Sequence, residues 1–568
     1  EPWLALAPHA GAAAARALLT AAWRTLLHAH PHDTLCGTSI DAVADAFDAR
    51  LASVEQQGAG LREDALLELV AHDRDAARAA PESWRPAVLL RNPAARPRGG
   101  VVELSLAATL ADVAVGPGSA TRQGARRSRP PWRVKGMIVQ VLARRERVML
   151  TESPRAYPDA DLVAEVDAVG WATTMAGYSV EARPQAGRNE PALPHPVVVE
   201  DNTLDNGLVR IEVSASGEVS LWDRARDRRV NNVLSLERRR DVGDSYTPAL
   251  RDALDVGRPR RVRVLHRGPI RGAIAIEYAS RARDAGVGGV CTLVVSLDAD
   301  SHAVRVHVRG ENRARDHRLR LRVATAIAGP VTLADAAFLP VVREALDLPP
   351  AERSMEHVVP TAPLHRWVAH LGASGSAAIA SDGLAEYESA EEGALFITLV
   401  RAIGQLSRHD LPERPGHAGW PAETPGAQCI GPYEASIALQ LFDADSPSVR
   451  DAIAQFAEDM LLPITGETLR SNLRDPVRAG RIELSGDGLA FSAAAPARRA
   501  GWIVLRCVNR RETSERGAWQ LHSTIAEAVR ARLDETEGVP LVANGPLVEF
   551  VAAGHEIVTI LVRVVEPT

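Results

Sequence analysis

The sequence predicts an α+β chain that is mostly β: an N-terminal three-helix bundle followed by several antiparallel β-sandwich domains, the largest a two-sheet supersandwich. Three observations carry this reading. Up to about residue 80, apolar residues recur every three to four positions, the period of one helical face. From Val88 onward, short apolar runs alternate with polar residues between Gly-, Pro- and Asn-rich turns. At 568 residues the chain exceeds the roughly 100 to 200 residues of a typical domain, so several domains are expected. We place them at 1–85, 86–195, 196–465 and 466–568.

Taken in order, Leu18, Leu19, Ala22, Trp23, Leu26 and Leu27 form the first helical stripe. Pro31 lacks an N–H, so that helix should stop just before it. Ile40, Val43, Phe47, Leu51 and Val54 restart the period, with Thr38, Ser39 or Asp41 available as caps. Leu61, Ala65, Leu66, Leu69 and Val70 make a third segment that should end at Pro81. His32 and Asp33 are thereby placed in a turn between two buried helices. Strand-like runs follow at 101–106, 136–142 and 162–168, interrupted by a Gly/Ser/Arg/Pro-rich stretch, Val115 to Pro131, read as a loop.

In the long block from 196, Val304, Val306 and Val308 alternate with polar residues, as do Leu319, Leu321 and Val323, the period of half-buried strands. Arg267-Gly-Pro-Ile270 sits between two such runs as a hairpin turn would. A helical or irregular connector at 448–475 leads to terminal strands at 482–484, 502–508 and 557–564.

Composition narrows the function. The net charge of −6 and pI near 6.3 provide no basic footprint for nucleic acid. Only one lysine, Lys135, is present, and Arg is interspersed with Asp and Glu. No window approaches the roughly 18 unbroken apolar residues of a membrane span. Cys36, Cys291, Cys429 and Cys507 lie far apart in no metal or disulfide spacing, so a reducing cytoplasm is expected. The chain opens at Glu1 directly into a helix, from which we expect that a preceding segment has been removed. Gly372-Ala-Ser-Gly-Ser376 is no nucleophile elbow, and Gly286-Val-Gly-Gly289 is no phosphate loop. His266, His302, His307 and His317 lie on strand-like runs without ligand spacing.

The one place where residues able to do chemistry are packed together at a helix break is His30-Pro-His-Asp-Thr-Leu-Cys-Gly-Thr-Ser-Ile-Asp41. Read on the dipeptide alone, Asp33 is a local cap and His32 an exposed side chain. The longer string resembles the signature of bacterial members of glycoside hydrolase family 38, the α-mannosidases and their mannosylglycerate-cleaving relatives. Asn206-Gly-Leu-Val-Arg210, Asp241-Val-Gly-Asp-Ser-Tyr246, Asn312 with His317-Arg-Leu-Arg320, Leu399 to Gly404, and the Arg532-Leu-Asp-Glu535 region extend the resemblance over essentially the full chain.

The resemblance implies that His32 ligates a catalytic zinc and that Asp33 holds sugar hydroxyls. It implies that Tyr246 reaches the sugar, a rim tyrosine being the alternative, and that Arg414 or else Arg401 faces it. It further implies a retaining mechanism in which the remaining ligands and the nucleophile belong to an N-terminal barrel. The barrel's His-x-Asp start and a catalytic Asp on an alternating βα pattern are absent from these 568 residues. The expected role is therefore the C-terminal part of a zinc-dependent α-mannosidase acting on a mannose-containing oligosaccharide or mannoside, with the barrel in cis or in trans. A non-catalytic carbohydrate-binding or scaffolding sandwich, and one subunit of a split enzyme, are the other two readings. A homo-oligomer is also left open.

Overall fold

The computed structural model describes residues 1–7, 13–74, 76, 85–113, 133–153, 156–185, 191–279, 290–344, 355–471, 473–536 and 538–565. Pro81, the 115–131 stretch and Gly286-Val-Gly-Gly289 lie outside them.

Helix Ala13–Leu27 gives way to a turn just before Pro31, and a short helix, His32–Cys36, follows it. Gly37 ends that short helix with φ of 79°, a left-handed conformation that suits glycine. The expected second and third helices are instead one helix, Asp41–Leu69. Between Val54 and Leu61 stand only Glu55, Gln56, Gln57 and a Gly-Ala-Gly run. Two glycines cost about 1 kcal/mol each in a helix interior, and without a proline or cap that does not stop propagation. Among the described residues the predicted bundle is therefore two long helices with short companions. The flanking helices are also less buried than expected: Leu18, Trp23, Leu27, Leu35, Ile40 and Leu51 are all exposed.

The chain divides into two compact units, one of residues 17–58 and 195–461, the other of 1–16, 59–194 and 462–568. In the first, two antiparallel sheets of ten and nine strands share one core. At the centre of the ten-stranded sheet, strand Arg228–Asp241 pairs with His317–Ala324, which pairs in turn with Ala394–Ala402. The nine-stranded sheet runs from Arg258–Arg267 through Arg271–Ala279, Val290–Asp298, Val304–Asn312 and Gly431–Phe442 toward Val341–Arg343. Val304, Val306 and Val308 point into the shared core with Leu221, Leu321 and Ile397 of the facing sheet, so the period-two signal marks an inward face. Gly268, in the predicted hairpin turn, has φ of 82°, and an added Cβ would strike the Val197 carbonyl. Helix Pro447–Leu461 lays Val449, Ile453 and Phe456 against Trp367, Ala378 and Phe442.

In the second unit, strand Ile464–Ser471 stands where a connector was expected. It lies inside a seven-stranded sheet, antiparallel to Arg85–Asn92 and parallel to residues 102–105 of Arg98–Val113. A parallel pair needs a long crossover, and here the whole block from 195 to 461 intervenes. Four- and five-stranded antiparallel sheets complete this unit from Ile482 to Val564. Among the described residues no helix is long and apolar enough to cross a membrane.

Candidate functional site

The turn from His30 to Asp41 is organised around Asp33. The Thr38 hydroxyl donates to Asp33 Oδ1 at 3.1 Å, and the Ser39 hydroxyl donates to its backbone carbonyl at 3.0 Å. Both hydroxyls expected to cap the next helix are thus turned back onto Asp33. Asp33 itself accepts no backbone N–H among the described residues, so the turn does not use it as a cap. Its Oδ2 has no hydrogen-bond partner among the described residues. The His32 side chain is 93% exposed and Asp33 51%, with Nε2 of the one 3.4 Å from Oδ1 of the other. A pair this exposed contributes at most about 1 kcal/mol, so its presence is not explained by stability.

Asp41 ties this turn to the β-block. Its Oδ2 accepts the Gly426 N–H at 2.8 Å, and an added Cβ on Gly426 would crowd the carboxylate at 3.0–3.1 Å. The segment 404–428 thereby touches both Asp41, at the end of the turn, and Ser245–Tyr246. Ser245 N–H donates to the Gln405 carbonyl at 3.1 Å, and an added Cβ on Gly419 would collide with the Tyr246 ring. Ser407 Oγ accepts the N–H groups of Ala418 and Gly419, which holds that glycine against the tyrosine. Tyr246 is 36% exposed. Ser407, Gly419 and Gly426 carried no signal of their own in the sequence, because each acts through a contact between distant segments.

Asp241 and Asp244 are fully buried structural acceptors and not an acid–base couple. Asp241 Oδ1 accepts the Gly243 and Ala249 N–H groups, and Oδ2 accepts Arg401 Nε at 2.9 Å. Asp244 accepts the N–H groups of Tyr246, Thr247 and Arg408 as well as the Arg414 guanidinium at 2.7 Å. Burial alone would raise both carboxyls. For Asp241 the Arg401 charge with the Ala249 and Gly243 N–H groups, and for Asp244 the bonds from Arg414, Arg408 and Thr247, hold them below the ordinary range.

Arg414, expected to face the sugar, has no donor left over for a ligand. It is buried, and all five N–H groups are engaged: Nε by the Gly416 carbonyl, Nη1 by Asp244 and Thr247 Oγ1, and Nη2 by Asp244 and the Arg408 carbonyl. Arg401 spends Nε on Asp241 and Nη2 on the Asp244 carbonyl. Its Nη1 has no hydrogen-bond partner among the described residues. Asp244→Ala should therefore cost about 3 to 5 kcal/mol, the range for stranding a buried charge, with three N–H groups orphaned as well. A urea unfolding shift below about 1 kcal/mol would show that water can replace Asp244 there.

Among the described residues no group of three or more His, Cys, Asp or Glu side chains could hold a metal ion. The described residues therefore do not build a metal centre by themselves. His32 fits as one imidazole ligand of a set completed elsewhere, since both ring nitrogens are accessible.

Residues 204–410 match the model of the glycosyl hydrolases family 38 C-terminal domain. Over 222 residues the chain is 27% identical to the curated "Putative mannosylglycerate hydrolase" of Halalkalibacterium halodurans, which covers 39% of this chain and 23% of that protein. An alpha-mannosidase from Enterococcus faecalis V583 has the same fold, with TM-score 0.79 at 18% identity over 99% of this chain and 65% of its own. A protein in glycosyl hydrolase family 38 from Enterococcus faecalis gives 0.73 at 19% identity, over 95% of this chain and 65% of its own. The chain thus spans less than a quarter of the curated relative and less than two thirds of either solved chain. Residues 204–410 are therefore similar to the glycosyl hydrolase family 38 C-terminal domain, and the described chain shares the fold of the two solved proteins.

Proposed function

We propose that this chain is the C-terminal part of a zinc-dependent retaining α-mannosidase, acting on a mannose-containing oligosaccharide or on a mannoside such as mannosylglycerate. In this reading His32 supplies one metal ligand, and a catalytic barrel outside these residues, in cis or in trans, supplies the others together with the nucleophile. The bound cation would grip vicinal hydroxyls of the sugar. Asp33 accepts from sugar hydroxyls through its unengaged Oδ2, and Tyr246 approaches from the sandwich. Arg401 Nη1 takes the contact that Arg414 cannot make, while Arg414 positions Asp244.

The observation that carries this reading is the Asp41 to Gly426 hydrogen bond. It ties the exposed His32–Asp33 turn to the segment that also packs on Tyr246. Retaining glycosidases need two carboxyl groups about 5 to 5.5 Å apart. Asp241 and Asp244 are spent on structure, so that pair is assigned to the barrel. A reducing cytoplasmic setting accords with four unpaired cysteines.

The isolated chain is expected neither to hydrolyse an aryl α-mannoside nor to hold stoichiometric zinc, because one imidazole falls short of the three or four protein ligands of ordinary sites. Adding the barrel should restore both, measured by release of the aryl group and by elemental analysis. Turnover by purified chain alone that survives a chelator would overturn the assignment. A barrel-complete protein that binds mannosides without cleaving them would favour the carbohydrate-binding reading.

A further inference from the structure

We propose that the C-terminal β-domain carries a cleft that binds a neutral pyranoside. The cleft encloses about 500 Å³, inside the range of roughly 300 to 1,000 Å³ typical of small-molecule sites. Its floor is apolar: Trp502, 3% exposed, and Leu561 belong to one core cluster against which Val529 and Ala531 pack. Its rim is charged, with Arg498 and Arg499 facing Asp534 and Glu535. Within the lining two guanidinium groups and two carboxylates balance, and Arg532 Nε stands behind Asp534 Oδ1 at 4.0 Å. Either pair would repel or strand one end of an ionic ligand, while a purely apolar ligand would have to desolvate all four charges. A neutral molecule with a C–H face and a hydroxylated edge satisfies both floor and rim.

The hydrogen-bond inventory agrees. Asp534 Oδ1 is occupied by the Thr536 N–H at 3.2 Å and hydroxyl at 2.6 Å, and Glu535 Oε2 by the Arg498 N–H at 2.7 Å. Asp534 Oδ2, Glu535 Oε1 and the Arg498 guanidinium have no hydrogen-bond partner among the described residues, leaving two acceptors and a fork of donors. Charge-assisted bonds of this kind are the strong ones. The Thr536 hydroxyl and N–H hold the Asp534 carboxyl below its ordinary range, so it stays an acceptor at neutral pH. Arg499 lies over the Trp502 ring at 4.4 Å and fixes that side of the rim.

Glu535 has φ of 68°, a left-handed conformation in a turn closed by its own N–H to the Arg532 carbonyl and by Arg532 N–H to the Thr536 carbonyl. Glycine or asparagine would fit more easily. The turn holds the Glu535 carboxylate at the cleft at the cost of this conformation. The Arg532-Leu-Asp-Glu535 string singled out in the sequence is thereby given a role that needs neither barrel nor metal.

Saturation-transfer NMR on the full chain tests this with methyl α-D-mannopyranoside, methyl β-D-glucopyranoside and methyl β-D-galactopyranoside in the millimolar range. Transfer to at least one glycoside is expected. Asp534→Asn combined with Arg498→Ala, both exposed positions, should weaken binding about tenfold, equivalent to one lost good hydrogen-bonded contact. Glu535→Gly should weaken it similarly while leaving the melting temperature unchanged or raised. Transfer to none of the three glycosides, transfer undiminished in the variants, or a fall in melting temperature that accounts for the loss in Glu535→Gly would each overturn the proposal. None of these outcomes bears on the mannosidase reading, which turns on His32, Asp33 and the barrel.

Discussion

In the barrel-complete enzyme, His32→Ala should lose metal and activity together. A zinc-ligating imidazole must be neutral and present one ring nitrogen, with the other oriented by an acceptor. His32 stands at the start of a short exposed helix with Nε2 3.4 Å from Asp33 Oδ1, which leaves the ring open to a ligand. Asp33→Asn should behave differently. The Thr38 and Ser39 hydroxyls can still donate to the amide and carbonyl oxygens, so the turn should keep its shape and the metal should remain. What is lost is a charge-assisted acceptor for sugar hydroxyls, read as a fall in kcat/KM. A merely structural role makes the opposite forecast, with melting temperature lowered and turnover intact. Full zinc and full rate in His32→Ala would remove this turn from the site.

Acidification from pH 7.5 to 4.5 should destabilise the 195–461 block by about 5 kcal/mol, through two buried histidines. Asn312 donates both amide N–H groups to the Gln428 and Cys429 carbonyls, so its Oδ1 is an acceptor for His317 Nε2–H at 2.9 Å. His317 Nδ1 must then accept from Arg238 Nε at 3.2 Å. Burial first, and the Arg238 charge second, push this imidazole down to about 4. His370, fully buried between the hydroxyls of Thr325 and Ser389 at 2.9 Å each, is pushed down to about 4 by burial.

The sign follows from where protons are bound. The folded state keeps both rings neutral down to about pH 4, while the unfolded chain protonates them near 6.5. Stability is therefore full above about 6.5, falls as pH drops toward 4, and levels off below. At pH 4.5 each ring accounts for about 2 to 3 kcal/mol. Asp241 and Asp244, whose carboxyls are lowered, contribute stability that is lost mainly below the unfolded carboxylate range near 4, so the histidines dominate this window. His266 and His302, lowered mainly by burial, add in the same direction. Urea midpoints at the two pH values, repeated with His317→Gln and His370→Gln, measure the slope. Equal midpoints, or a slope unchanged in the variants, would refute the mechanism.

The turn that carries His32 and Asp33 was legible as sequence. Pro31 halts a helix by lacking an N–H, and the string from His30 to Asp41 marks the turn. Gly-Asp-Ser-Tyr singled out Tyr246, which the structure sets against Gly419. The error on Arg414 shows where such reading stops. Nothing within ten residues of Arg414 names Asp244 as its partner, so its five donors looked available when all were engaged. The Asp534–Glu535 turn likewise becomes a rim only when Arg498 and Trp502 are brought opposite.

The sequence by itself determined the local terms: helix over Ala13–Leu27, the hairpin at 267–270, and the inward faces of Val304–Val308, because proline geometry, turn chemistry and hydrophobic period act over a few residues. Only the tertiary structure decided that 41–69 is one helix, that Ile464–Ser471 completes a sheet begun at Arg85, and that Asp241, Asp244 and Arg414 are internal partners. Those outcomes depend on which distant groups satisfy a buried charge or an unpaired strand edge. That balance of desolvation against pairing is settled across the whole fold.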